Sequence, residues 1–236
     1  MVKFQKVQEL CQRPRNRDYL SFPSSIPLKC TQLFITQRYV EILYNFICRD
    51  NHQFKKCGMK QFFIALVPEN DLKLKLEEIK NSFAKTYNSH HALKLPPHIT
   101  LIPPFKMQQE AEVTLIQVLR QTAENTNNFE LQLNGFGAFP PRVIFIDVIN
   151  SFALTNLFNR LYVNAQPLFP AKPQREYHPH ITIATRDLKK QKFEEAWSVF
   201  RERDFIDIFP VHSLFLLGHN GRTWEILNEF PFAPEA

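Results

Sequence analysis

Two histidines, His98 and His180, each precede a threonine by two positions, inside a tetrapeptide Pro-His-Ile-Thr that occurs at 97–100 and again at 179–182. Imidazole is the side chain that gives and takes protons near neutrality. Two of them in opposite protonation states serve as base and acid of one reaction, each role worth about 10²–10⁴-fold when geometry and pKa suit. The hydroxyls of Thr100 and Thr182 can donate to oxygens on which negative charge grows. The set fits hydrolysis of a phosphodiester without metal. A neutral imidazole accepts the proton of the attacking water, an imidazolium protonates the leaving oxygen, and the hydroxyls hold the non-bridging oxygens. Opposite protonation states predict a bell-shaped pH profile.

For one such motif alone the plainer reading is structural, an imidazole hydrogen-bonded at a sheet edge. Zinc is the competing chemistry for the pair, since His178 forms a His-x-His with His180 and could join His98 in a three-histidine set. Threonine at both i+2 positions then has no role. His90 and His91, in the polar stretch NSHHALK, read as a solvated loop, and His212 and His219 have no matching partner. No Gly-rich phosphate loop, nucleophile elbow or Cys–His signature occurs. No cofactor and no metal is called for.

Strands must position these groups, because alternate residues of a strand point to opposite faces. His98 and Thr100 then share one face with Ile99 and Leu101 behind them, and His180 and Thr182 stand likewise against Ile181 and Ile183. Around them the pattern predicts a buried strand opening at MKQFFIALVPEN and a helix over 70–87 with Asn70 or Asp71 as N-cap. It continues with a strand over 98–102, a helix over 108–125, strands over 129–138 and 143–148, and a helix over 151–168. A strand over 180–185, a helix over 189–203 and strands near 211–217 and 223–229 complete it. Each histidine strand follows one helix and precedes another, which predicts an α+β fold with an approximate internal duplication.

The first 58 residues differ from the rest. They carry ten Lys and Arg against four Asp and Glu, so the whole net charge of +6 sits there and residues 59–236 are neutral overall. Cys11, Cys30, Cys48 and Cys57 also fall in this segment. Cys30, Cys48, His52 and Cys57 match no standard zinc spacing, and reduced thiols are the expectation. A helix is expected over 31–50. Residues 1–58 are read as a basic extension, poorly ordered or the product of a misplaced start at Met1, and 59–236 as the catalytic domain. An intact mass beginning at Met59 would support the second origin; one including Met1 would exclude it. The chain shows no apolar run long enough to span a bilayer and no apolar-cored leader, so a cytoplasmic protein without a membrane role is expected, acting as a monomer.

FFIALVPEN followed by PPHITLIPPF and then HPHITIATR resembles the 2H phosphoesterase superfamily, which includes the bacterial RNA 2′,3′-cyclic phosphodiesterases also called 2′–5′ RNA ligases. The resemblance covers about 59–230. It rests on two His-x-Thr motifs with apolar x and apolar flanks, 82 residues apart. It implies a bilobal fold, two pseudo-symmetric lobes of antiparallel sheet with flanking helices around a central cleft. It also implies metal-independent opening of a 2′,3′-cyclic phosphate to a 2′-phosphate, on an RNA 3′ terminus or a small cyclic nucleotide. His98 and His180 would be the acid/base pair, and Thr100 and Thr182 the phosphate binders. The residues do not separate acid from base; the assignment taken here has His98 protonate the leaving 3′ oxygen and His180 activate water. Phe63 and Phe105 are candidates for a base-stacking wall, Arg142 and Arg186 for phosphate contacts, and Tyr177 for the cleft flank. Each has an equally ordinary core or surface reading. Two further functions stay open: a binding module that holds a nucleotide or RNA end without turnover, and RNA ligation by the reverse reaction. A neutral body favours a terminus or a small nucleotide over a long RNA footprint.

Overall fold

The computed structural model describes residues 58–165, 168 and 176–233. The expectations for the extension, its helix and its thiols concern residues outside that set.

The strands are β1 (Met59–Leu66), β2 (Ile99–Gln108), β3 (Phe129–Phe139), β4 (Val143–Val148), β5 (His180–Ala184), β6 (Ile206–Val211), β7 (Ser213–His219) and β8 (Trp224–Pro231). The helices are α1 (Asn70–Tyr87), α2 (Glu112–Glu124), α3 (Phe152–Asn164) and α4 (Lys190–Phe200). All eight strands join one antiparallel sheet in the order β6-β3-β4-β5-β2-β1-β7-β8, curled into a half-barrel. The order divides at its middle into two sets of four. β4-α3-β5-α4 repeats β1-α1-β2-α2, so the two histidine strands become neighbours at the centre. This is the expected α+β, bilobal, internally duplicated architecture.

The period-two pattern explains which face is buried. Phe62, Ile64 and Leu66 of β1 join Ile99 and Leu101 of β2 and Ile181 and Ile183 of β5 in the main core. Leu72, Leu76 and Phe83 of α1 cover them, with Leu154, Leu157 and Leu161 of α3. Phe63, Ala65 and Val67 face the other way and form a second, smaller cluster with Phe215 and Leu217. The helices therefore lie behind the sheet and the histidine face is in front.

Three local readings change. β2 runs on through Pro103 and Pro104 to Gln108, because a register shift opposite Phe62–Ile64 lets two prolines sit where no ladder donor is needed. β6 is absent from the sequence expectation. It is an edge strand that contains Pro210, and two of its apolar side chains face solvent, Ile206 at 80% and Ile208 at 51% exposure. At α1 the cap position is Glu69, without a side-chain cap bond, and Asp71 instead lies in the first turn, where its charge suits the helix dipole. No helix among the described residues is long and apolar enough to cross a membrane.

Candidate active site

β2 and β5 meet through a single register pair, Ile99 opposite Ile181. Antiparallel strands count in opposite directions, so one residue further this register sets His98 across from Thr182 and Thr100 across from His180. Each histidine stands beside the threonine of the other motif, and all four share the face opposite the buried isoleucines.

Both imidazoles are held the same way. His98 Nδ1 lies 2.8 Å from the carbonyl of Pro96, and His180 Nδ1 lies 2.8 Å from the carbonyl of His178. A carbonyl only accepts, so each Nδ1 carries the hydrogen and each Nε2 is left for chemistry. Each ring also rests on a phenylalanine of the neighbouring strand. Phe63 meets His98 with centroids 5.2 Å apart, and Phe145 meets His180 at 5.0 Å. Gly137 of β3, paired with Phe145, makes room for the second contact, since a Cβ there would collide with that ring.

A cleft of about 300 Å³ opens on this face, lined by His98, Thr100 and Thr182 with Phe63, Trp224 and Arg186. His180 lies beside it, in ring contact with Phe145 and Phe139, near enough that a charge on it disfavours one on His98. Burial is the main force on His98, with Lys80 adding to it and the Pro96 carbonyl opposing; together they push its pKa down to about 4. His180 is also held below its ordinary value, chiefly by burial, with the His178 carbonyl and, more weakly, the carboxylate of Asp147 pulling upward. Asp147 also meets His178 Nε2 at 3.2 Å.

The other candidates divide. Phe63 is on the cleft wall, with Trp224 edge-on to it at 4.7 Å. Arg186 reaches the cleft from a left-handed turn at φ 56. Tyr177 supports the site from behind: its hydroxyl donates to the Thr100 carbonyl at 3.0 Å and its ring stacks on Phe158 at 4.1 Å. Phe105 corrects the expectation of a stacking wall, because it is a core residue at 5% exposure packed on Phe62. Arg142 is exposed in the β3–β4 turn and does not line the cleft.

Several cleft residues had no sequence signal. Lys80, Lys94 and Arg222 join Arg186 in the lining, and among the described residues no Asp or Glu does. His91, read as solvated, also lines it. Two latches bring them there. The Asp187 carboxylate accepts from the Ser89 hydroxyl at 2.9 Å and from the backbone N–H groups of His90 and His91 at 2.8 and 2.7 Å. Thr223, in the β7–β8 hairpin, donates to the Lys94 carbonyl at 3.0 Å. An unused sequence signal is Gly221, whose positive φ of 97 marks the hairpin. Among the described residues no group of three His, Cys, Asp or Glu is placed to hold a metal ion.

A two-lobed antiparallel half-barrel with paired His-x-Thr strands at its centre defines the 2H phosphoesterase class. The chain belongs to the 2′-5′ RNA ligase superfamily, whose description matches residues 68–223. A Geobacillus kaustophilus protein carrying the name phosphoesterase is 32% identical over 163 residues, spanning 66% of this chain and 89% of that one. One from Geobacillus sp. strain WCH70 is 30% identical over 177 residues, spanning 72% and 95%. Among solved structures, E. coli LigT complexed with 3′-AMP superimposes with a TM-score of 0.56 at 19% identity, covering 75% of this chain and 99% of LigT. TT0787 of Thermus thermophilus does so with a TM-score of 0.55 at 19% identity, covering 75% and 100%. At such identity the likeness is one of fold.

Proposed function

We propose that the protein is a metal-independent 2′,3′-cyclic phosphodiesterase that opens the cyclic phosphate of an RNA 3′ terminus or a small nucleotide to a 2′-phosphate, as a cytoplasmic monomer. The observation that carries this reading is the crossed register of the two motifs, which sets each histidine across from the threonine of the other strand, with each Nδ1 tied to a carbonyl.

In the proposed reaction water adds to phosphorus and gives its proton to one imidazole. The bond from phosphorus to O3′ breaks, and the other histidine, as imidazolium, delivers its proton to O3′. The products are a 2′-phosphate and a free 3′-hydroxyl, and the two histidines then restore their protons through solvent. Thr100 and Thr182 donate to the non-bridging oxygens, where charge grows. The electrostatics argue against the acid/base assignment taken from the sequence. Burial holds both below the ordinary value, His98 down to about 4 with Lys80 adding to it, whereas on His180 the His178 carbonyl and Asp147 oppose it. We therefore assign the base to His98 and the acid to His180.

Phe63 and Trp224 offer an aromatic wall to a base, a sequence-tolerant contact worth about 1–3 kcal/mol. The rim of Lys94, Arg186 and Arg222 gives the neutral body a local positive field suited to a terminal phosphate. The test is turnover, in excess chelator, of a short RNA ending in a 2′,3′-cyclic phosphate and of 2′,3′-cyclic AMP. A 2′-phosphate product, lost in both His98→Ala and His180→Ala, is expected. Binding without turnover would replace the reading by a binding module, joining of RNA ends by a ligase, and activity in either variant would refute the paired-histidine mechanism.

A further inference from the structure

Helix α1 carries a lysine where its pattern calls for an apolar residue. Leu72, Leu76 and Ala84 form the stripe that faces the sheet, and Lys80 occupies the place between Leu76 and Ala84. It is 3% exposed. A buried ammonium is costly unless a counter-charge and hydrogen bonds offset the loss of water. Lys80 Nζ donates to the Leu95 carbonyl at 2.6 Å. Among the described residues no carboxylate lies within 4.0 Å of it. Glu77, on the same helix, acts on it from beyond contact distance, and burial still holds its pKa down to about 8. An ammonium has three donors, so a single carbonyl leaves capacity unused.

The side chain does not end in the core. It lines the cleft with His98, Thr100 and Thr182, and among the described residues that lining holds no carboxylate. Lys94, Arg186 and Arg222 are solvent-exposed, whereas Lys80 is the cation shielded from water, where attraction to an anion is strongest. Its anchor also couples it to the reaction centre. Leu95, which holds Lys80, is followed by Pro96, whose carbonyl holds His98.

We propose that Lys80 is one half of a buried ion pair whose other half is the phosphoryl group bound in the cleft. The inference rests on the cleft being a phosphate site, as in the proposed function, and adds the residue that supplies its fixed charge. Lys80 then has two effects: it draws the non-bridging oxygens toward His98 and the threonines, and it adds to the burial that keeps His98 neutral until the anion arrives. A lysine that merely tied α1 to Leu95 could disturb the site through Pro96, but its own resonance would not respond to phosphate.

The experiment titrates inorganic phosphate into the full chain at pH 7 by calorimetry, with histidine and lysine resonances followed by NMR. Lys80→Met keeps most of the length of the side chain and removes the charge; Lys80→Gln keeps a donor. Both are expected to weaken phosphate binding by about 10-fold to 100-fold, the worth of a hydrogen bond to a charged group. Both should also raise the pKa of His98 in the free protein. Phosphate affinity within twofold of wild type in a folded variant would overturn the role of Lys80 and leave the cleft reading standing. Wild-type protein that binds no phosphate would overturn both. Should neither variant fold, the wild type still decides: phosphate must raise the pKa of Lys80, and a Lys80 resonance blind to phosphate refutes the proposal.

Discussion

The depressed pKa of His98 makes stability depend on pH in a way that one substitution isolates. Below its ordinary value of 6.5 an exposed histidine is protonated, but folded His98 stays neutral down to about 4. Between those values the unfolded chain binds more protons than the folded one, so stability rises with pH. The contribution is complete above 6.5 and is lost as pH falls through 6.5 toward 4. Linkage sets the size: about 1 kcal/mol is lost by pH 6, about 2 by pH 5 and about 3 by pH 4. Carboxylates titrate over part of the same range, and the comparison with His98→Gln subtracts them, since both proteins carry the same ones. Urea unfolding of wild type and variant at pH 7, 6, 5 and 4.5 would supply the two curves. The wild type should lose stability more steeply on acidification, by about 2 kcal/mol more than the variant between pH 7 and pH 5. Parallel curves would refute the argument that His98 is buried neutral, and with it the reason for making it the base.

Other consequences are as direct. Tyr177→Phe leaves the Thr100 carbonyl without its donor, for a loss of about 1–3 kcal/mol and a melting point lower by about 2–4 °C per kcal/mol; an unchanged melting curve would mean that water replaces the hydroxyl. Gly137→Ala drives a methyl group into the Phe145 ring, should cost about 1–3 kcal/mol, and should be largely relieved by a second change, Phe145→Leu, in a double-mutant cycle. Asp187 would be raised by burial, yet its bonds from Ser89, His90 and His91 hold it below the usual carboxylate range. Its contribution is therefore present above that range and lost as pH falls through the folded value, and Asp187→Asn should flatten the acid limb of a stability profile. With Trp197→Phe, Trp224 is left as the fluorophore, and its emission should change on adding 2′-AMP; silence would count against a base-stacking wall.

The sequence by itself determined that two histidines and two threonines face one way with isoleucines behind them, because strand alternation is a local property and HITI leaves one consistent choice. It determined the span of α1, 70–87, though not its N-cap, because the apolar stripe is periodic over that length; in the structure Asn88 closes it with a left-handed cap. The repeat of helix, strand and helix around each motif likewise implied two similar halves. It did not show β6, whose exposed Ile206 and Ile208 and whose Pro210 run against the usual strand pattern. It could not separate Phe63 from Phe105, which carry identical chemistry. Only the register of β1 against β2 decides that one faces the cleft and the other the core.

The tertiary structure alone decided the crossed pairing of each histidine with the other motif's threonine, since that depends on which residues of two strands, far apart in the chain, come opposite. It alone assembled Lys80, Lys94, Arg186 and Arg222 around the cleft, from a helix, a short turn and two loops whose charges vanish in a neutral total. Charge counted along a chain is a sum, whereas the field in a cleft depends on distance and burial. A lysine in an apolar stripe looks like an exception to a pattern until the fold shows what it faces.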